Sequence, residues 1–246
     1  MSGHSKWHNI AAKKSKTDAA RGAVFTKIGR ELAVAAKGNP NPETNSKLAD
    51  VIAKAKAANM PNDNIKRSIA RAAGELSGKD YKELTYEGYG VAGSAVIIKT
   101  LTDNVNRTSG DISSTMSKCG GQMGKPGCVS YQFDNKGVIV IEKTVALDED
   151  TMMEYCLEAE AEDFVSEDDV YEVYTTPEAF SSVRKYFEDK GVTFLEAEVK
   201  MVPQNTITLP ADKQATFIKM IDKLEELDDV QNVYHNVELP EEDEEE

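Results

Sequence analysis

The hydrophobic positions of this chain follow two different periods, and the change falls near residue 75. From Ala20 to Lys37, Val24, Phe25, Ile28, Leu32 and Ala35 recur at the 3.6-residue period of a helix buried along one face, while Lys27, Arg30 and Lys37 gather opposite. Gly38 stops that helix. Asn41 followed by Pro42 reads as an N-cap with proline at the first helical position, which predicts that a second helix starts there, with Leu48, Val51, Ile52 and Ala55 as its apolar stripe. Met60-Pro61 breaks it and Asn62 caps a third helix. In that helix Ile65 and Ile69 turn inward, and Arg67 and Arg71, four residues apart, lie on the outer side.

Beyond Glu75 strands alternate with helices. Ala95 to Leu101 is a dense β-branched run, Asn106 to Lys118 suits a helix, and Val129 to Phe133 alternates as a strand. Then come a strand at Gly137 to Glu142, a helix at Asp148 to Ala159, strands at Asp163 to Val165 and Tyr171 to Tyr174, a helix at Pro177 to Asp189 and a strand at Thr193 to Met201. That series is β-α-β-β-α-β, the ferredoxin-like order. A strand at Thr206 to Leu209, a helix at Ala211 to Leu227 and a strand at Val230 to Asn236 would complete a second such unit around it. The expected fold class is α+β with three domains, an N-terminal helical domain plus two ferredoxin-like units, one inserted in the other. The boundaries are 1–75 for the helical domain, 76–133 with 205–240 for the discontinuous one, 134–204 for the insert and 241–246 for an acidic tail. Two sequential α/β domains are the other arrangement that the same periodicity admits.

Charge follows the same division. From Met1 to Gly74 there are 14 Lys and Arg against 5 Asp and Glu, and the rest of the chain carries 15 against 38, so a net charge of −14 conceals a basic module on an acidic protein. Such segregation is expected where one module touches a polyanion and the others must not. No apolar run is long enough for a transmembrane helix, and the polar Ser2, Gly3, His4 and Ser5 do not open a signal sequence, so a cytoplasmic protein is expected, with no membrane partner. Cys119, Cys128 and Cys156 form no CxxC pair and leave an odd number, which argues against a disulfide framework or a zinc ribbon.

Catalytic chemistry finds no foothold. Cys119 to Gly127 has the glycine density of a phosphate loop, but Cys119 stands where the first glycine is needed and Pro126 where the magnesium-binding hydroxyl is needed. His4 and His8 are spaced as metal ligands on a helix would be, without the accompanying carboxylate, and His235 is at the other end of the chain. No nucleophile-histidine constellation can be assembled from three histidines, and the many acids read as solvated outer faces. The expectation is no enzyme, no cofactor, no metal and no small-molecule substrate.

The specific signal is the arm Gly3-His4-Ser5-Lys6-Trp7-His8-Asn9-Ile10-Ala11-Ala12-Lys13-Lys14-Ser15-Lys16, where cations alternate with an aromatic, imidazoles and hydroxyls. Lysines neutralise phosphates and release counterions, and a lone aromatic can stack on an unpaired base. The candidate nucleic-acid contacts are Lys6, Trp7, His8, Lys13, Lys14, Lys16, Arg21, Lys27, Arg30, Arg67 and Arg71. Asn104, Asn106 and Arg107 form a second polar cluster at a helix start, as a further contact surface or as helix capping.

The arm, followed by Lys13-Lys14 and by Asp18, Arg21, Gly22, Phe25, Thr26 and Lys27, resembles the opening signature of the YebC/PmpR family. The resemblance continues through Asn59-Met60-Pro61-Asn62-Asp63-Asn64-Ile65, Tyr86-Glu87-Gly88-Tyr89-Gly90 and Asp103-Asn104-Val105-Asn106-Arg107-Thr108. Members are bacterial cytosolic proteins usually described as transcriptional regulators, and they include a mitochondrial relative that activates translation of a cytochrome oxidase subunit. The resemblance implies three domains, the third inserted in the second, and nucleic-acid binding without enzymatic activity. Two targets stay open. Duplex DNA follows the family description, whereas ribosomal RNA follows the mitochondrial relative, the absence of a clear helix-turn-helix spacing and the acidic bulk of the chain.

Overall fold

A computed structural model of the chain describes residues 18–73, 81–144 and 147–239; the basic arm and the acidic tail lie outside them. These residues pack as two compact units, one of residues 18–30, 81–134 and 201–239, the other of residues 31–73 and 135–200. Seven helices and several antiparallel pairings give the α+β class that the periodicity predicts.

The described residues begin with three helices: α1 (Asp18–Ala36), α2 (Ser46–Ala57) and α3 (Asn62–Ala73). The apolar stripe of α1 is buried from Ile28 through Leu32 to Ala35, but Val24, expected on the same stripe, is exposed. Gly38 ends the helix in the left-handed region at φ 85°, where a side chain is strained. The second helix does not start at Asn41. Asn41 Oδ1 accepts the Glu43 amide at 3.0 Å, and the Thr44 amide closes on the Asn41 carbonyl, so Asn41 makes a local turn that competes with helix formation. Asn45 takes the capping role: its Oδ1 accepts from Leu48 N at 3.1 Å, and its Nδ2 donates to the carbonyls of Ala35 and Asn39, both at 2.7 Å. One side chain thereby caps α2 and ties its start to the end of α1.

The first unit is built on a four-stranded sheet in the order β3-β1-β2-β9, with β1 (Lys82–Tyr89), β2 (Ala95–Thr102), β3 (Gln122–Met123) and β9 (Val230–His235). β1 and β2 form an antiparallel hairpin from Lys82 opposite Thr102 to Tyr89 opposite Ala95. Between β2 and β3 runs α4 (Val105–Lys118); before β9 runs α7 (Ala211–Glu225). β2 is buried on both faces, which is why its sequence is almost continuously apolar. Val96 and Ile98 meet Ile112 and Met116 of α4 and Phe217, Met220 and Leu224 of α7, while Ala95 and Ile97 meet Val129 and Phe133. The order here differs from the expected β-α-β-β-α-β: it begins with a hairpin, because Lys82–Tyr89 is a strand, and Val129 to Phe133 is not one. A short parallel pair of β8 (Ile207–Thr208) and β10 (Val237–Glu238) completes the unit.

The second unit contains α2, α3 and a sheet in the order β5-β6-β4-β7, formed by β4 (Phe133–Glu142), β5 (Asp163–Ser166), β6 (Val170–Thr175) and β7 (Glu196–Pro203). With α5 (Glu149–Glu158) and α6 (Phe180–Asp189) between them, the strands have the ferredoxin-like succession and the corresponding strand order. Ile139 and Ile141 of β4 and Val173 of β6 pack on Met152 and Cys156 of α5 and on Phe180, Val183 and Phe187 of α6. Polar groups of α2 are drawn into this unit. Asp50 accepts from Arg184 Nε at 3.0 Å and from Ser181 Oγ, and Lys54 Nζ lies 3.1 Å from Glu31 and 3.3 Å from Glu198.

Candidate nucleic-acid interface

Helices α2 and α3 are joined by four residues, Ala58 to Pro61, with Asn59 in the left-handed region at φ 57° and Met60 buried. That is the connection length of a helix-turn-helix, a spacing the sequence had not made apparent. Ile65 anchors α3 inward, and Asn62, Lys66, Arg67, Ala70 and Arg71 are exposed. Lys66, Arg67 and Arg71 make no ion pair among the described residues, so this helix presents three cations to solvent on one short stretch. Lys66 was not among the sequence candidates, although its place one residue before Arg67 marks it.

Other candidates are placed differently. Lys6, Trp7, His8, Lys13, Lys14 and Lys16 lie outside the described residues; Arg21 belongs to the backbone of α1. Lys27 donates to the Glu225 carbonyl, and Arg30 donates to the Asp228 carbonyl and to Asp229 Oδ1, the latter at 3.0 Å. Both cations are therefore engaged inside their own unit, and the Arg30 side chain is only 17% exposed. They fasten α1 to the turn between α7 and β9.

The cluster at Asn104, Asn106 and Arg107 resolves into a cap and an ion pair in which a half-exposed arginine meets a buried carboxylate. Asn104 Oδ1 accepts from Arg107 N at 3.1 Å and caps α4, while Asn106 is exposed. Arg107 donates to Asp229 Oδ2 through Nη2 at 2.6 Å and through Nε at 3.2 Å, and to Asp103 at 2.9 Å. Thr102 and Thr108 add hydroxyl bonds to the same carboxylate oxygen at 3.2 and 2.8 Å. Burial opposes ionisation of Asp229, but the bonds from Arg107 and Thr108 and the charges of Arg107 and Arg30 outweigh it and hold this carboxyl below its ordinary range. A cleft of about 450 Å³ opens here, lined by Arg30 and Arg107 but also by Asp103, Asp111, Glu226, Asp228 and Asp229. Its rim is anionic and its guanidinium groups are already paired, so it does not offer a phosphate site.

The glycine-rich loop is explained by Glu87 of β1. This buried carboxylate accepts the amides of Gly127 at 2.8 Å and of Val129 and Ser130 at 2.9 Å. Burial would raise its pKa; the three backbone amides prevail and hold it below the usual value. Amides that a phosphate loop would offer to a nucleotide are consumed by the protein's own carboxylate. Captured in this way, residues Ser130–Gln132 form a 3₁₀ turn in place of the expected strand, and Tyr131, between the buried Val129 and Phe133, points outward. Neither Glu87 nor Tyr131 was a sequence candidate; Glu87 stood within Tyr86-Glu87-Gly88-Tyr89-Gly90 with no indication of partners 40 residues away.

The three cysteines are free, and burial pushes the Cys156 thiol up to about 11. Among the described residues no group of His, Cys, Asp and Glu is arranged to hold a metal ion, and no helix is long and apolar enough to cross a membrane. His4 and His8 lie outside those residues.

Among the described residues, helices with a cationic outer row on α3 accompany two α/β sheets, a multi-domain α+β class of protein, and comparison with known proteins gives the class its family. Residues 5–75 match the profile described as "TACO1/YebC protein N-terminal domain", and residues 81–237 match "TACO1/YebC second and third domain". The chain belongs to the TACO1/YebC family. It is 56% identical over 243 residues to a "Probable transcriptional regulatory protein" of Clostridium tetani, covering 98% of this chain and 99% of that one. It is 58% identical over 242 residues to one of Hathewaya histolytica, covering 98% of each. The crystal structure of a conserved hypothetical protein from Aquifex aeolicus superimposes with a TM-score of 0.82 at 41% identity, over 95% of this chain and 97% of that one.

Proposed function

We propose that this chain is a cytoplasmic, non-enzymatic regulator of gene expression that binds nucleic acid through its basic helical module, residues 1–75, and acts at transcription on duplex DNA. The observation that carries the reading is the exposed row Lys66, Arg67 and Arg71 on a helix that follows its predecessor after a turn of helix-turn-helix length. The names of the relatives support the setting in transcription. Charge supports the division of labour: a strongly anionic remainder is repelled from a polyanion, leaving the basic module as the docking end.

Reversal of Arg67 and Arg71 to glutamate is expected to weaken duplex binding at least on the order of tenfold near physiological salt and to flatten its salt dependence. Fluorescence anisotropy with the full chain measures both. Unchanged affinity in this double variant would remove α3 from the interface. Crosslinking in cells followed by sequencing of the attached nucleic acid then identifies the target: promoter DNA supports transcription, and ribosomal RNA in its place overturns it for translation.

A further inference from the structure

The acidic part of the chain is not uniformly acidic. Between Asp111 and Asp134 it carries Lys118 and Lys125 and no carboxylate. Within this stretch lies the loop clamped by Glu87, where Lys125 is exposed and Tyr131 is 69% exposed, the one aromatic among the strongly exposed large hydrophobic residues that are described. An alternating strand would have placed Tyr131 on the same side as Val129 and Phe133, which are both in the core. The 3₁₀ turn turns it away from them.

The turn that carries Tyr131 is braced on every side. Glu87 holds the amides before it, the Gln132 carbonyl accepts the Gln204 amide at 2.9 Å, and Tyr89 Oη donates to the Cys128 carbonyl at 3.0 Å. Gln132 Nε2 reaches the Tyr131 hydroxyl at 3.3 Å. A rigid backbone that presents an aromatic ring to water gains little for folding. It does reduce the ordering cost of a partner that stacks on the ring.

We propose that Tyr131, with Lys125, is a stacking platform for an unpaired nucleotide of a single-stranded nucleic acid. The base is recognised through the ring face and the adjacent phosphate through the lysine, which suits any sequence because every base has a π-face. The stretch between Asp111 and Asp134 contributes two lysines and no carboxylate of its own, and the Glu87 carboxylate beneath the loop is buried and taken up by backbone amides, which favours a nucleic acid over a cationic protein here. The inference rests on the reading of the chain as a nucleic-acid-binding protein but not on α3.

The test uses the full chain and a short fluorescein-labelled oligonucleotide as single-stranded RNA, single-stranded DNA of the same sequence, and duplex. Tyr131→Ala is expected to weaken single-strand binding roughly tenfold without altering its salt dependence, while Tyr131→Phe retains it and duplex binding is unchanged. Lys125→Ala should reduce the slope of log affinity against log salt by about one. Equal losses on RNA and DNA assign the contact to the base alone; a loss confined to RNA assigns part of it to the ribose hydroxyl. Repeating the Tyr131→Ala comparison on the Arg67→Glu/Arg71→Glu background keeps the two readings apart, since the platform is expected to act there as well. The proposal is overturned if Tyr131→Ala, melting like wild type, binds both single strands with unchanged affinity.

Discussion

A carboxylate surrounded by backbone amides is kept ionised by them, and at Glu87 that local effect shapes a whole loop. Its folded pKa lies below the ordinary value, so its contribution to stability is present at neutral pH and is lost as pH falls below about 4, the ordinary carboxylate range. Glu87→Gln leaves an amide nitrogen facing backbone N–H groups, and it should destabilise the fold by about 2–3 kcal/mol at pH 7. Urea unfolding measures this, and the gap between wild type and variant should narrow on acidification; a constant gap down to pH 3 would contradict the sign. Asp229 obeys the same logic with Arg107, Thr102 and Thr108 as donors. Neither carboxylate could be singled out from sequence, because one acid among 43 looks like another until distant donors converge on it.

At the scale of elements, the three opening helices and the ferredoxin-like insert were legible because their apolar periods are long and undiluted. Their boundaries were less so. Asn41-Pro42 and Asn45-Ser46 are both plausible helix starts, and what decides is that Asn45 reaches two carbonyls behind it while Asn41 folds onto its own turn. Asn45→Ala should therefore cost about 2–3 kcal/mol, from the lost cap and two carbonyls left without their donor, whereas Asn41→Ala should cost less than about 1. Thermal melts of the two variants test this directly, and the opposite ranking would restore the earlier start. One strand was not expected and one expected strand is a turn. Lys82–Tyr89 is buried mainly near its end, so its pattern does not read as a core strand, and Val129 to Phe133 alternates like a strand while its amides are captured by Glu87.

At the scale of the molecule, the charge division is real but overstates the cations available to a ligand. Of the 14 Lys and Arg in the first 74 residues, Lys27 and Arg30 are bonded near the end of α7, and Lys54 lies between Glu31 and Glu198, which hold it protonated against a burial penalty. Lys37 and Lys47 also have partners. The cations that remain in the arm and on α1, α2 and α3 are Lys6, Lys13, Lys14, Lys16, Arg21, Lys56, Lys66, Arg67 and Arg71. Each phosphate neutralised on duplex DNA contributes about 0.9 to the slope of log affinity against log salt, so nine contacts give a slope no steeper than about −8, whereas 14 free cations would give about −13. The Lys13→Glu, Lys14→Glu and Lys16→Glu triple variant should lower the magnitude by about 3, and the Arg67→Glu/Arg71→Glu pair by about 2. Anisotropy titrations across a salt series measure these slopes. A wild-type slope steeper than about −9 would require engaged cations such as Lys27, Arg30 and Lys54 to leave their carbonyl and carboxylate partners on binding, making docking a rearrangement of the fold in place of rigid engagement through α3.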